Sequence, residues 1–119
     1  MKEILWKTSF NLEPPRFEHG SKNISTKRED AVTLLCEVFG DNPIQIIWTH
    51  NMNRLDASNY RLIISEAKTE SGMKSQLYIR QTDRQDSGLY KCQAENTFGR
   101  SELVIYLAVQ GNIKNKNVW

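Results

Sequence analysis

A chain of 119 residues, 39% of them hydrophobic, is one domain by size and can fill one modest core. Its 16 basic and 14 acidic residues nearly cancel to a net charge of +2, which argues against a nucleic-acid binder, since that would need a concentrated basic face. The longest apolar run, Leu103 to Val109, is seven residues, far short of the roughly 20 that cross a bilayer.

Residues 1–13 show no clean period and lack the apolar stretch of about 7–15 residues that a signal peptide needs. They are expected to be a flank outside the domain. Pro14-Pro15 stiffens the entry. Arg16 to Ser25 reads as an edge strand broken at Gly20, and Lys27 to Asp30 as a charged turn. Ala31 to Gly40 alternates, with Val32, Leu34, Cys36 and Val38 inward. Gly40-Asp41-Asn42-Pro43 is a turn signal. Ile44 to Thr49 is the next strand, with Ile44, Ile46 and Trp48 inward. Asn51 to Asn59 leaves room for at most a short extra strand. Tyr60 to Glu66 and Met73 to Arg80 follow as strands, joined by a hairpin turn at Thr69 to Gly72, with Leu77 and Ile79 inward. Gln81 to Asp86 is a corner with one helical turn. Leu89 to Glu95 and Arg100 to Val109 form a hairpin around Asn96-Thr97-Phe98-Gly99. Seven or eight strands with frequent turn signals predict an all-β antiparallel sandwich over residues 14–110. Residues 111–119 leave the pattern abruptly and are expected to be a second flank. Both flanks read as one exon's translation running on into its introns, and the whole as a fragment of a longer protein.

One stretch organises the rest. Asp86-Ser87-Gly88-Leu89-Tyr90-Lys91-Cys92 is a D-x-G-x-Y-x-C run, with Cys36 lying 56 positions before Cys92 and Trp48 lying 12 after Cys36. Gly88 permits a tight entry from turn to strand. Tyr90 and Cys92, two apart, share a face of their strand, and Cys36 and Trp48 would face them from two others. Together with Leu77, Asn96 and Gly99, these residues resemble the pattern of intermediate-set (I-set) immunoglobulin domains. The strings PPRFEHGSKNIS, VTLLCEVFGDNPIQIIW, NRLDASNYRLI, KSQLYIRQTDRQDSGLYKC and CQAENTFG are similar to a late immunoglobulin repeat of the arthropod Down syndrome cell adhesion molecule (Dscam) proteins, the one just before the fibronectin type III array.

That resemblance implies a sandwich with one inter-sheet disulfide, Cys36–Cys92, packed against Trp48 and Tyr90. Such a bridge would stabilise by about 4 kcal/mol and implies an oxidising compartment. The alternative is two buried free thiols in an intracellular domain of the same fold. The resemblance further implies the extracellular part of a single-pass neuronal plasma-membrane receptor of many tandem domains. Such receptors act in homophilic adhesion, axon guidance and dendrite self-avoidance. The expected partners are other immunoglobulin-family ectodomains, a second copy among them, and neighbouring immunoglobulin or fibronectin type III domains of the parent chain. Competing readings are an intracellular sarcomeric spacer and the ectodomain module of a receptor tyrosine kinase.

Candidate site residues follow. Arg61 and Asp86 can pair across the bottom of such a sandwich, a structural role. Asn23-Ile24-Ser25 is the only N-x-S/T sequon and a candidate glycan acceptor if the chain is exported. Ile47, Leu89, Val104 and Tyr106 would face outward from one sheet with Lys91 and Gln93 between them, as a candidate contact face. The alternative is that neighbouring domains or missing chain cover them. No metal or other cofactor is expected: His19 and His50 have no ligand-spaced companions, and calcium needs about six oxygens where Asp83 and Asp86 are already committed. No nucleophile–base constellation can be drawn, so no catalysis is expected.

Overall fold

The computed structural model describes residues 12–56 and 60–111; nearly all of both flanks, and the middle of the polar segment before Tyr60, lie outside the described residues. Within them are eight strands: β1 (Ser21–Lys27), β2 (Val32–Phe39), β3 (Gln45–His50), β4 (Asn53–Arg54), β5 (Leu62–Thr69), β6 (Gly72–Ile79), β7 (Gly88–Asn96) and β8 (Gly99–Gln110). They form a five-stranded sheet in the order β1-β8-β7-β3-β4 and a three-stranded sheet in the order β2-β6-β5. The alternation that marked the strands now has its physical cause. Leu34, Cys36 and Val38 of β2, Leu77 and Ile79 of β6, and Leu103, Ile105, Leu107 and Val109 of β8 are all buried between the two sheets.

Four details differ from the sequence reading or refine it. The broken edge strand divides between the sheets: Arg16 bridges Phe39 on the smaller sheet, and after Gly20 the chain crosses to pair β1 with β8. That β1–β8 pairing is parallel, the one departure from antiparallel neighbours. β5 begins at Leu62 and runs to Thr69, past the expected end at Glu66. Its last residues are exposed and polar, and the hairpin ladder to Met73 and Gly72 carries them without any apolar alternation. Glu13, placed in the flank by sequence, exchanges hydrogen bonds with Asp41: the Asp41 N–H donates to Glu13 O at 3.0 Å, and the Glu13 N–H to the side-chain Asp41 Oδ2 at 3.1 Å.

Two glycines are dictated by geometry. Gly88 enters β7 at φ +134°, and a Cβ there would sit 2.5 Å from Asn51 Oδ1. Gly72 opens β6 opposite Phe39 so closely that a Cβ would overlap the Val38 carbonyl oxygen. Between β6 and β7 the corner is a single 3-10 turn, Arg84–Asp86, closed by a capping box. Asp83 Oδ1 accepts from the Arg84 N–H at 2.8 Å, and Asp86 Oδ2 accepts from the Asp83 N–H at 2.7 Å.

Candidate functional site

Strand register builds the centre of the molecule. Cys36 on β2 and Cys92 on β7 are fully buried and joined by a disulfide, with Cα atoms 6.4 Å apart, so the bridge ties one sheet to the other. Trp48 is the register partner of Cys92, and Ser75 the partner of Cys36. The Trp48 indole N–H reaches across the gap to donate to Ser75 Oγ at 2.9 Å. A buried indole N–H needs such an acceptor. The sequence reading missed Ser75, although the signal was there: a lone hydroxyl in the inward frame of Met73, Leu77 and Ile79. Leu77, fully buried, belongs to the same core cluster.

Tyr90, two before Cys92, turns its hydroxyl back to the corner and donates to the Asp86 carbonyl at 2.6 Å. Burial, with the Asp86 charge nearby, pushes its ionisation well above the ordinary tyrosine range. His50, the cross-strand partner of Tyr90, stacks on the phenol ring at a centroid distance of 4.1 Å and an interplanar angle of 4°. His50 Nε2 lies 3.0 Å from the Ser87 carbonyl oxygen. A carbonyl only accepts, so that nitrogen carries the proton. Sequence reading found no role for His50; the geometry makes it a lid on the buried tyrosine.

At the same end, the Arg61 guanidinium meets the Asp86 carboxylate with Nη2–Oδ2 at 2.6 Å and Nη1–Oδ1 at 3.4 Å, and also donates to the Gln81 carbonyl at 2.6 Å. The hydrogen bond to Asp86 raises the Arg61 pKa above its ordinary value. Asp86 thereby holds the cap of the 3-10 turn, an ion pair to β5's approach and, through its carbonyl, the tyrosine.

The outer face of the five-stranded sheet carries the four apolar residues singled out from the sequence. Tyr106 on β8 is 52% exposed and opposes Leu89 on β7; Val104, two before Tyr106, opposes Lys91. Leu89 and Val104 are half-buried. These three adjoin. Ile47 stands apart on β3, opposite Gln93. Glu102 links the intervening polar residues, pairing with Lys91 Nζ at 3.6 Å and accepting from Gln93 Nε2 at 3.3 Å. Asn23 is exposed on β1 directly beside Tyr106.

The opposite pole is clamped by Asn96. Its Nδ2 donates to the carbonyls of Glu13 at 2.8 Å and Asp41 at 3.0 Å, while its Oδ1 accepts from the Phe98 N–H at 2.8 Å. One carboxamide thus joins the entering chain, the β2–β3 loop and the β7–β8 turn. Among the described residues no group of three or more His, Cys, Asp or Glu side chains is placed to hold a metal ion.

Comparison with known proteins adds to this geometry. Residues 15–109 match the model of the immunoglobulin I-set domain. Over 98 residues the chain is 39% identical to the cell adhesion molecule Dscam1 of Drosophila melanogaster and over 98 residues 37% identical to Dscam2 of the same species, covering 82% and 81% of this chain. It spans only 5% of the length of either relative. Among solved structures, the Dscam1 Ig7 domain (isoform 5) superposes with a TM-score of 0.69 at 28% identity, covering 83% of this chain and 99% of that one. A three-domain titin fragment, an I67-I69 variant, superposes at 0.70 with 23% identity, covering 83% of this chain and 33% of that one, a likeness of fold alone.

Proposed function

This chain belongs to the immunoglobulin I-set family, and on that premise we propose that it is a non-catalytic module in the ectodomain of a cell-adhesion receptor, working in cell–cell recognition. The observation that carries the reading is the similarity to Dscam1 and Dscam2, both cell adhesion molecules, which runs through nearly the whole sandwich. The inter-sheet disulfide agrees with it, because such bonds persist in oxidising compartments. The finer reading is a neuronal plasma-membrane protein engaged in homophilic adhesion, axon guidance and dendrite self-avoidance. Its partners are other immunoglobulin-family ectodomains, and its covalent neighbours are immunoglobulin or fibronectin type III domains.

The mechanism is presentation. A sandwich stapled through its centre holds loops and one sheet face in fixed positions, and preorganised surfaces lose less entropy on binding. Expression of the full-length receptor on suspension cells tests the reading. Aggregation is expected with the intact receptor and a measurable loss on removing this module. Full-length receptor at the surface that never aggregates cells, alone or with cells bearing other immunoglobulin receptors, overturns it.

A further inference from the structure

We propose that Asn23 carries an N-linked glycan, and that this glycan, rather than a protein partner, covers the Tyr106–Leu89 row of the outer sheet. The inference rests on the extracellular reading above. Its basis is register. Asn23 opens an N-I-S sequon without proline at the middle position. It lies on β1, the edge strand of the five-stranded sheet, and is exposed. Among the described residues its carboxamide has no hydrogen-bond partner. In parallel pairing Asn23 sits beside Tyr106, and Tyr106 in turn opposes Leu89. Paired residues project to the same side of a sheet, and adjacent strands are about 4.8 Å apart. The three side chains therefore form one continuous row across β1, β8 and β7, with the acceptor nitrogen at its open end.

The chemistry is a transfer from a polyprenyl-diphosphate-linked oligosaccharide. The Asn23 amide nitrogen bonds to the anomeric carbon of the donor and gives up one proton, and the polyprenyl diphosphate leaves. The attached sugar is bulky and solvated. Lying inward from the edge, its first rings meet the face of Tyr106, whose apolar surface is thereby removed from water. The same bulk blocks the free edge of β1, where unpaired backbone groups would otherwise recruit another strand. Ile47, beyond the polar Lys91–Glu102–Gln93 link, is left uncovered.

The test is secretion of the 119-residue chain from insect cells behind a cleavable signal. The expected result is an intact mass raised by a glycan that peptide:N-glycosidase removes, leaving aspartate at position 23. Asn23→Gln and Ser25→Ala, both at exposed positions, should each abolish the added mass without loss of secretion. Hydroxyl-radical footprinting should show Tyr106 shielded in the glycosylated chain and most of that shielding lost after deglycosylation. A bare Asn23 on the exported, disulfide-bonded chain overturns the proposal, and so does a glycan that leaves Tyr106 labelling unchanged. A glycosylated chain that still dimerises through Tyr106, with dimerisation lost in Tyr106→Ser, also overturns it and makes a second copy the occupant. Adhesion itself is read separately, by the cell-aggregation assay.

Discussion

The indole nitrogen of Trp48 and the hydroxyl of Ser75 meet at 2.9 Å across the two sheets, each beside one half of the disulfide. This is a polar contact in a space otherwise filled by apolar side chains, and it fixes the Trp48 ring. Ser75→Ala removes the acceptor and leaves a buried N–H unsatisfied. The expected loss is about 1–3 kcal/mol, read from the urea midpoint at unchanged m-value. Trp48→Phe in the Ser75→Ala background should cost less than in the parent, because the stranded donor is gone.

At the corner, Asp86→Ala is expected to destabilise by about 2–3 kcal/mol, since it removes the carboxylate partner of a half-buried guanidinium and opens the 3-10 cap together. Arg61→Met should cost only about 1–2 kcal/mol, because the remaining carboxylate keeps the Asp83 amide. Chemical denaturation of the two variants checks the order, and equal losses would count against Asp86 as the hub.

The pH profile has two limbs. The Arg84 amide, followed by Arg28, holds the Asp83 pKa below its ordinary 3.8. A depressed folded value means the contribution is present above the unfolded pKa and disappears as pH falls through the folded one. Asp83→Asn should therefore flatten the acid limb. Tyr90 behaves oppositely. Its raised value leaves stability intact below an unfolded pKa of 10.0 and erodes it as pH climbs beyond. Thermal melts from pH 9 to pH 11 should fall for the parent, and Tyr90→Phe, less stable at neutral pH, should fall less steeply.

Asn96 separates donors from acceptor. Asn96→Asp retains an oxygen for the Phe98 N–H but turns a second oxygen toward the Glu13 and Asp41 carbonyls. Amide exchange is expected to stay slow at Phe98 and to accelerate at Asp41, whose N–H is bonded to Glu13. Asn96→Ala should accelerate both, with a global loss of about 1–2 kcal/mol.

Much of this architecture could be read before any coordinates. β2, β3, β7 and β8 advertise themselves through period-two apolar spacing, and the D-x-G-x-Y-x-C run marks the corner, since each of its residues has a local geometric task. What stayed hidden depends on register between distant segments. Ser75 looks like an ordinary strand serine until β6 is laid beside Cys36. His50 gains its role only once it stands opposite Tyr90. The separation of Ile47 from Val104 and Tyr106 follows from a three-residue polar link that no single strand displays. Asn96 could be matched to a motif, but its contact with Glu13 spans 83 positions and leaves no local trace.

The parallel seam between β1 and β8 has a mechanical corollary. The chain enters at the Ser21 end of that seam and leaves at the Gln110 end, and the two strands point the same way. Tension between the termini therefore acts along the strands. It must shear the rungs from Ser21–Val104 to Lys27–Gln110 together instead of unzipping them one after another. Pulled from its two ends, the module would resist stretching at its first and last strands, while the disulfide keeps the interior from extending between Cys36 and Cys92.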